Sequence, residues 1–266
     1  MELISEPGDA ARPDEDFAAL SVPASGQGGA LVVLDGVTPP AGDDGCLHSV
    51  HWFCARLGGA LTELSVSRRD LTLTEVLAQA LSRTAEAHEA TCDLSHPRTP
   101  QATVGLARWS EAAVEYLVLS DSVLLTEAPD GTVTALLDDR LARVPRASLA
   151  SDAIADATVR NKEGGFFTAA ADPAVSARAV TATVPRAGVR ALVALTDGAT
   201  RWTETFHEGD WTALFDLVAK DGARSLVERV RELETADSEE RAFLRRSKTH
   251  DDATVVYAEL GRAISP

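Results

Sequence analysis

Three short apolar runs, Ala30 to Leu34, Val189 to Leu195 and Val255 to Tyr257, each abut a carboxylate. The adjoining residues are Asp35-Gly36, Asp197-Gly198 and Asp251-Asp252. Continuous apolar runs of this length read as strands buried on both faces. A carboxylate at such a strand end is held by a rigid element, yet it reaches a solvent-facing cleft. Several of them brought to one point would repel, and the usual remedy is a divalent cation. A fourth acidic element, Asp14-Glu15-Asp16, directly precedes a strand expected to start at Phe17.

An isolated Asp-Gly pair reads as a turn, because Gly supplies positive φ and Asp caps its own backbone. Asp130-Gly131, between two short strands, is such a hairpin connection. The other acidic elements differ in abutting buried strands in an ordered set. Hard oxygen donors point to Mg²⁺ or Mn²⁺ rather than zinc. Two such ions sharing carboxylates can activate a water and stabilise in-line displacement at phosphorus. Cys46, His48 and His51 invite a zinc reading, but no second ligand pair follows at finger-like spacing, so a helix face explains them.

The remaining pattern places these motifs. Phe17 to Val22 and Ala30 to Leu34 read as strands around a turn at Pro23 to Gly29. Apolar residues at Leu47, Val50, Cys54, Leu57 and Leu61 have helical spacing. A second helix begins at a capping box of Thr72 and Glu75. Ala102 to Trp109, Ala113 to Leu119, Val123 to Glu127 and Thr132 to Leu136 read as an antiparallel meander. Leu141 to Lys162 reads as helical turns, and Ala179 to Val184 with Val189 to Leu195 as a hairpin. Trp211 to Val218 and Ala223 to Leu233 are amphipathic helices, and Val255 to Leu260 is a closing strand. Helices come in blocks rather than alternating with single strands. The expected class is therefore α+β, antiparallel sheets covered by helices, in one domain over residues 1–266.

Charge narrows the partners. Asp plus Glu number 41 against 25 Lys plus Arg, a net charge of −16. That excludes a phosphate-backbone binder and an anionic-lipid binder, so neither nucleic acid nor membrane is an expected partner. Three cysteines, Cys46, Cys54 and Cys92, make no disulfide framework. With no signal peptide or membrane span visible, the expected location is cytoplasmic, and a monomer is the favoured state.

The ordered elements Glu15-Asp16, Val33-Leu34-Asp35-Gly36, Ser120-Asp121-Ser122, Leu195-Thr196-Asp197-Gly198 and Asp251-Asp252-Ala253-Thr254-Val255-Val256 resemble those of the PP2C (PPM) metal-dependent protein phosphatases. The resemblance runs over roughly residues 4 to 260, the extent of one such domain. It implies a four-layer αββα sandwich of two antiparallel sheets flanked by helix pairs, with two Mg²⁺ or Mn²⁺ ions at one end. It implies hydrolysis of phosphoserine and phosphothreonine in proteins by direct attack of a metal-bridging water. By the family pattern Asp35 bridges the metals and the Gly36 carbonyl binds one. Asp197 and Asp251 are further ligands, and Glu15 and Asp16 hold metal-bound waters.

The chain departs from that pattern in three places. Val37 stands where the family often has a His proposed as general acid, leaving His48 and His51 as substitutes. Arg201 stands where an Asp would complete an additional, weaker metal site with Asp121. The candidate phosphate-binding Arg12 precedes Glu15 by three residues rather than four. These departures admit an alternative, a catalytically weak or inactive regulatory module of the same fold. A superficial likeness to the haloacid dehalogenase phosphatases is set aside. Their nucleophilic Asp would fall at Val33.

Overall fold

Two five-stranded antiparallel sheets form the centre of the computed structural model, which describes residues 1–25, 28–39, 42–240, 243 and 248–260. In chain order the strands are β1 (Glu2–Glu6), β2 (Phe17–Ser21), β3 (Gly29–Leu34), β4 (Val104–Trp109), β5 (Ala113–Leu119), β6 (Val123–Glu127), β7 (Val133–Leu136), β8 (Val180–Pro185), β9 (Ala191–Leu195) and β10 (Ala253–Glu259). One sheet runs β1-β10-β9-β6-β7 and the other β2-β3-β4-β5-β8. The α-helices are α1 (Val50–Ser67), α2 (Leu73–Glu86), α3 (Arg140–Arg143), α4 (Asp152–Thr158), α5 (Asp197–Glu204), α6 (Trp211–Asp221) and α7 (Ala223–Glu240).

The apolar runs follow from the layering. In β3, Leu31 and Val33 enter the core between the sheets, whereas Val32 and Leu34 pack under α1 and α2. In β10, Val256 and Ala258 face the other sheet, and Val255 packs under α5, α6 and α7. A strand covered on both faces needs apolar residues at successive positions, because alternate side chains point to opposite layers. The result is the expected four-layer αββα sandwich.

Three local expectations are corrected. The meander over residues 102 to 136 breaks after β5. β4 pairs with β5 and β6 with β7, but β5 and β6 lie in different sheets. The crossing occurs at Ser120, which adopts φ 67°. The hairpin expected from Ala179 to Leu195 is not formed, since β8 pairs with β5 and β9 lies between β10 and β6. Burial separates them. β9 is buried at every position and takes a central place, while β8 alternates exposed with half-buried residues as an edge strand. Leu47 is 82% exposed and lies outside α1, which starts at Val50 behind the N-cap Ser49.

Two elements carry no expectation from the sequence. β1 pairs along β10 from Glu2↔Tyr257 to Glu6↔Ala253, and α5 begins at Asp197 itself. The Thr72/Glu75 capping box forms as expected.

Candidate metal centre

Strand register sets the site. Phe17 pairs with Leu34, Val255 with Leu195, Val123 with Leu195, and Val104 with Leu119. Asp16, Asp35, Asp121, Asp197 and Asp251 sit just beyond those pairs, at one end of the sandwich.

The two Asp-Gly pairs are not turns made by positive φ. A Cβ on Gly36 would lie 2.4 Å from Val50 Cγ1 and 2.6 Å from the Glu15 carbonyl oxygen. A Cβ on Gly198 would lie 2.0 Å from the Asp252 carbonyl oxygen. Both glycines let a second acidic segment close onto the first. Gly131, by contrast, has φ +86° and nothing within 4 Å, as a hairpin turn requires.

The backbone of Asp35 is clamped to Thr103, whose N–H donates to the Asp35 carbonyl at 2.9 Å. The Thr103 hydroxyl in turn accepts from the Asp35 N–H at 3.3 Å. The Asp35 carboxyl is held well above its ordinary pKa, first by burial and then by the charges of Asp197, Asp16, Asp121 and Asp251. Four of the expected site carboxylates, from four separate stretches, thus act on a fifth.

Asp16 is 8% exposed. Its Oδ2 accepts from the Thr196 hydroxyl at 2.8 Å, while Oδ1 is buried with no partner among the described residues. Burial raises its pKa well above the usual value, opposed by hydrogen bonds from Thr254 and Thr196 and reinforced by Asp14 and Asp252. Asp14, Asp16 and Asp252 each bring a carboxylate oxygen within 4.8 Å of the others. Asp252 also accepts from the Gly8 N–H at 2.8 Å and the Glu15 N–H at 2.7 Å, fastening the β1–β2 loop. Glu15 accepts from the Thr38 hydroxyl.

Asp251 is engaged differently from a bare ligand. Arg201 Nη2 donates to one oxygen at 2.8 Å and Lys248 Nζ to the other at 2.8 Å. Arg201 also pairs with the buried Glu234, and Lys248 donates to the Thr38 hydroxyl at 2.8 Å. Burial alone would lower the Lys248 pKa, but Asp251, Glu15 and Asp252 hold it above its usual value. The Arg at position 201 therefore supplies a positive charge where the family pattern would place another carboxylate.

Asp121 lines a cavity of about 300 Å³ together with Asp197, Thr200, Arg201 and Glu204. Arg12 is exposed, with its N–H donating to the Asp9 carbonyl. His51 Nδ1 lies 2.7 Å from the Asp14 carbonyl oxygen, and His48 faces Cys46 and Cys92.

Residues outside the expected set also shape the centre. Lys248 carries no sequence signal, because its segment has no periodic pattern. Thr196 and Thr254 do: each lies inside an acidic motif. The Thr196 hydroxyl accepts from the Thr254 N–H at 2.9 Å while donating to Asp16.

The donor chemistry fits a divalent cation. Every candidate ligand in this cluster is an oxygen, a buried Asp16 oxygen has no hydrogen-bond partner among the described residues, and the Asp35 carboxyl is crowded by like charge. Arg201 and Lys248 at Asp251 are the part that fits less well.

A four-layer sandwich with carboxylates gathered beyond its strand ends is the architecture of the PP2C-type phosphatases. The chain belongs to the protein phosphatase 2C family, whose model matches residues 10–233. Its fold is similar to that of the serine/threonine phosphatase PstP/Ppp of Mycobacterium tuberculosis, with TM-score 0.60 and 16% identity over 97% of each chain. Stp1 of Staphylococcus aureus gives TM-score 0.58 at 11% identity, covering 97% of this chain and 93% of that one. PppA of Pseudomonas aeruginosa, described as a regulatory component of T6SS, gives 0.55 at 16%, covering 96% and 95%. No curated protein matches the sequence. Among the described residues no helix is long and apolar enough to cross a membrane.

Proposed function

We propose that this chain is a metal-dependent phosphatase, one catalytic domain over residues 1–266, that hydrolyses phosphoserine and phosphothreonine in cytoplasmic proteins. The observation that carries this reading is the convergence of Asp16, Asp35, Asp121, Asp197 and Asp251 at one end of the sandwich, near enough for their charges to act on the Asp35 carboxyl. Asp35, Asp197, Asp251 and the Gly36 carbonyl would hold two Mg²⁺ or Mn²⁺ ions, with Glu15 and Asp16 around them and Asp121 available to a weaker one. When bound, such ions offset charge on the phosphoryl oxygens and acidify a water for direct attack on phosphorus.

The chain's own groups do the rest. Thr103 fixes the Asp35 backbone, so its carboxylate leaves β3 in one direction. Thr196 orients Asp16, and Asp252 ties the Glu15 backbone to the start of β10. Lys248 holds positive charge beside Thr38 and Asp251, where an anionic substrate would be drawn. Arg12, exposed ahead of Asp14, remains the candidate for outer phosphate contact.

A second reading has a specific observation behind it. Arg201 and Lys248 already neutralise Asp251, as internal cations in place of a bound one. That arrangement suits a regulatory module that binds phosphorylated partners with little turnover. Turnover of an aryl phosphate with Mn²⁺, with and without chelator, separates the two. The native chain is expected to show metal-dependent turnover that Asp35→Asn abolishes. Equal rates in both would reject the two-metal assignment. No turnover in either, with phosphopeptide binding retained, would establish the module.

A further inference from the structure

Cys46, His48, His88 and Cys92 come together away from the acidic centre. Each brings one ligand atom within 4.8 Å of the others. Cys46 Sγ lies 3.7 Å from His48 Nδ1 and 3.4 Å from His88 Nδ1, and Cys92 Sγ lies 3.4 Å from His48 Nδ1. A tetrahedral zinc bound by two thiolates and two imidazoles has ligand–ligand edges of roughly 3.3–3.8 Å. Three edges fall in that range. A fourth of the six, between the sulfurs, is 2.8 Å and must widen to admit the ion.

The supporting structure is built around these four groups. Cys46 and His48 lie in the segment leading into α1, and His88 and Cys92 follow the end of α2 on one helical turn. The Cys92 N–H donates to the His88 carbonyl at 3.0 Å. The two segments are joined by the Asp93 N–H donating to the Gly45 carbonyl at 2.7 Å. Backbone N–H groups point at both sulfurs, Leu47 to Cys92 at 3.3 Å and His48 to Cys46 at 3.4 Å, as expected around thiolates. Packing sets the rings. His48 stacks on Trp52 at 4.0 Å, and His88, 2% exposed, lies 5.3 Å from Trp52.

We propose that Cys46, His48, His88 and Cys92 form a structural zinc site that clips the entrance of α1 to the exit of α2. Four protein ligands with no open position make a closed, structural site. Paired thiolates and imidazoles select zinc over the hard cations of the acidic centre. Binding displaces the Cys46 thiol proton. Burial and the neighbouring Cys92 push that thiol up to about 11. Partial burial opposes ionisation of Cys92 too, yet hydrogen bonds from Cys46, Leu47 and His48 bring it down to about 6. The clip has a structural consequence. His51, in the first turn of α1, contacts the Asp14 carbonyl, so a fixed α1 entrance steadies the Asp14–Asp16 segment. The cluster reopens the zinc reading that the sequence spacing had set aside. The missing second pair lies some forty residues on, and His51 is not a member.

The test uses the full chain purified under reductant without chelator. Elemental analysis is expected to find one zinc per chain in the native protein and in Asp35→Asn, and none in Cys92→Ser. Thermal melting of Cys92→Ser is expected about 5 °C or more lower. Should that variant fail to fold, Co²⁺ added to metal-stripped native chain gives a second readout, tetrahedral d–d bands with a thiolate charge-transfer band. Folded native chain with no zinc and no such bands would overturn the site. So would zinc lost in Asp35→Asn but kept in Cys92→Ser. A Cys46–Cys92 disulfide in the native chain with no cobalt uptake after reduction would overturn it as well.

Discussion

The acidic cluster and the Cys/His cluster gather ligands by opposite means. In the first, carboxylates project from the ends of strands whose register is set by two sheets and three apolar layers. In the second, soft donors come from loops at helix ends, joined by one backbone hydrogen bond and a stack of rings. The acidic groups repel until a cation arrives, so the sandwich itself must hold them together. The thiols and imidazoles attract or share protons without a metal, so weaker scaffolding suffices. A strained cluster therefore belongs on rigid elements, and an unstrained one can sit on loops.

Asp35→Asn breaks the comparison hardest. Metal-dependent turnover should fall at least about 100-fold. The metal-free variant should melt no lower than the native chain, since a buried repelled carboxylate has been removed. A lower melting temperature would mean that Asp35 serves packing rather than charge.

Gly198→Ala tests whether rigidity of the acidic end depends on close approach. The new methyl would meet the Asp252 carbonyl, and destabilisation of about 1–3 kcal/mol is expected by denaturant unfolding. Gly131→Ala, strained only by its positive φ, should cost about 1 kcal/mol. Equal costs would count against a special role for the acidic glycines.

The pH dependence sharpens the electrostatic half. Asp35 and Asp16 have folded pKa values raised above their unfolded ones. Each binds more protons folded than unfolded, so its contribution is fully present below the ordinary carboxylate pKa. It is lost as pH rises through the folded value. Metal-free melting temperature should therefore decline from roughly pH 4 upward on account of these groups. Saturating Mn²⁺ should reverse the trend, because the ligands must then be ionised. A metal-free profile unchanged by Asp35→Asn would remove this explanation.

Lys248→Ala should give the smallest change. It strips one of two cations from Asp251, and Mn²⁺ affinity, read by calorimetry, should rise about threefold, the scale of a partly exposed ion pair. Weaker binding would show that Lys248 supports the site rather than competing for it.

Much of the fold was legible because both faces of the central strands are buried, which leaves continuous runs such as Ala30 to Leu34 in the chain. The capping box at Thr72 and Glu75 and the turn at Gly131 were legible for local reasons: each depends on residues three or fewer apart. β1 was not, since Glu2–Glu6 is an edge strand that pairs with β10, some 250 residues away in the chain. The switch of sheets at Ser120 was equally hidden. A chain crossing between layers and one turning within a layer use the same short polar punctuation.

The order and residue types of the acidic motifs, and the buried antiparallel strands they punctuate, were determined by the sequence, because strand burial and carboxylate placement are written in adjacent residues. Which charges face one another was decided only by tertiary structure. Arg201 and Lys248 meet at Asp251, and His88 and Cys92 meet Cys46 and His48, through contacts between segments far apart in the chain. Such pairings depend on how helices pack on sheets, and no local spacing encodes that distance.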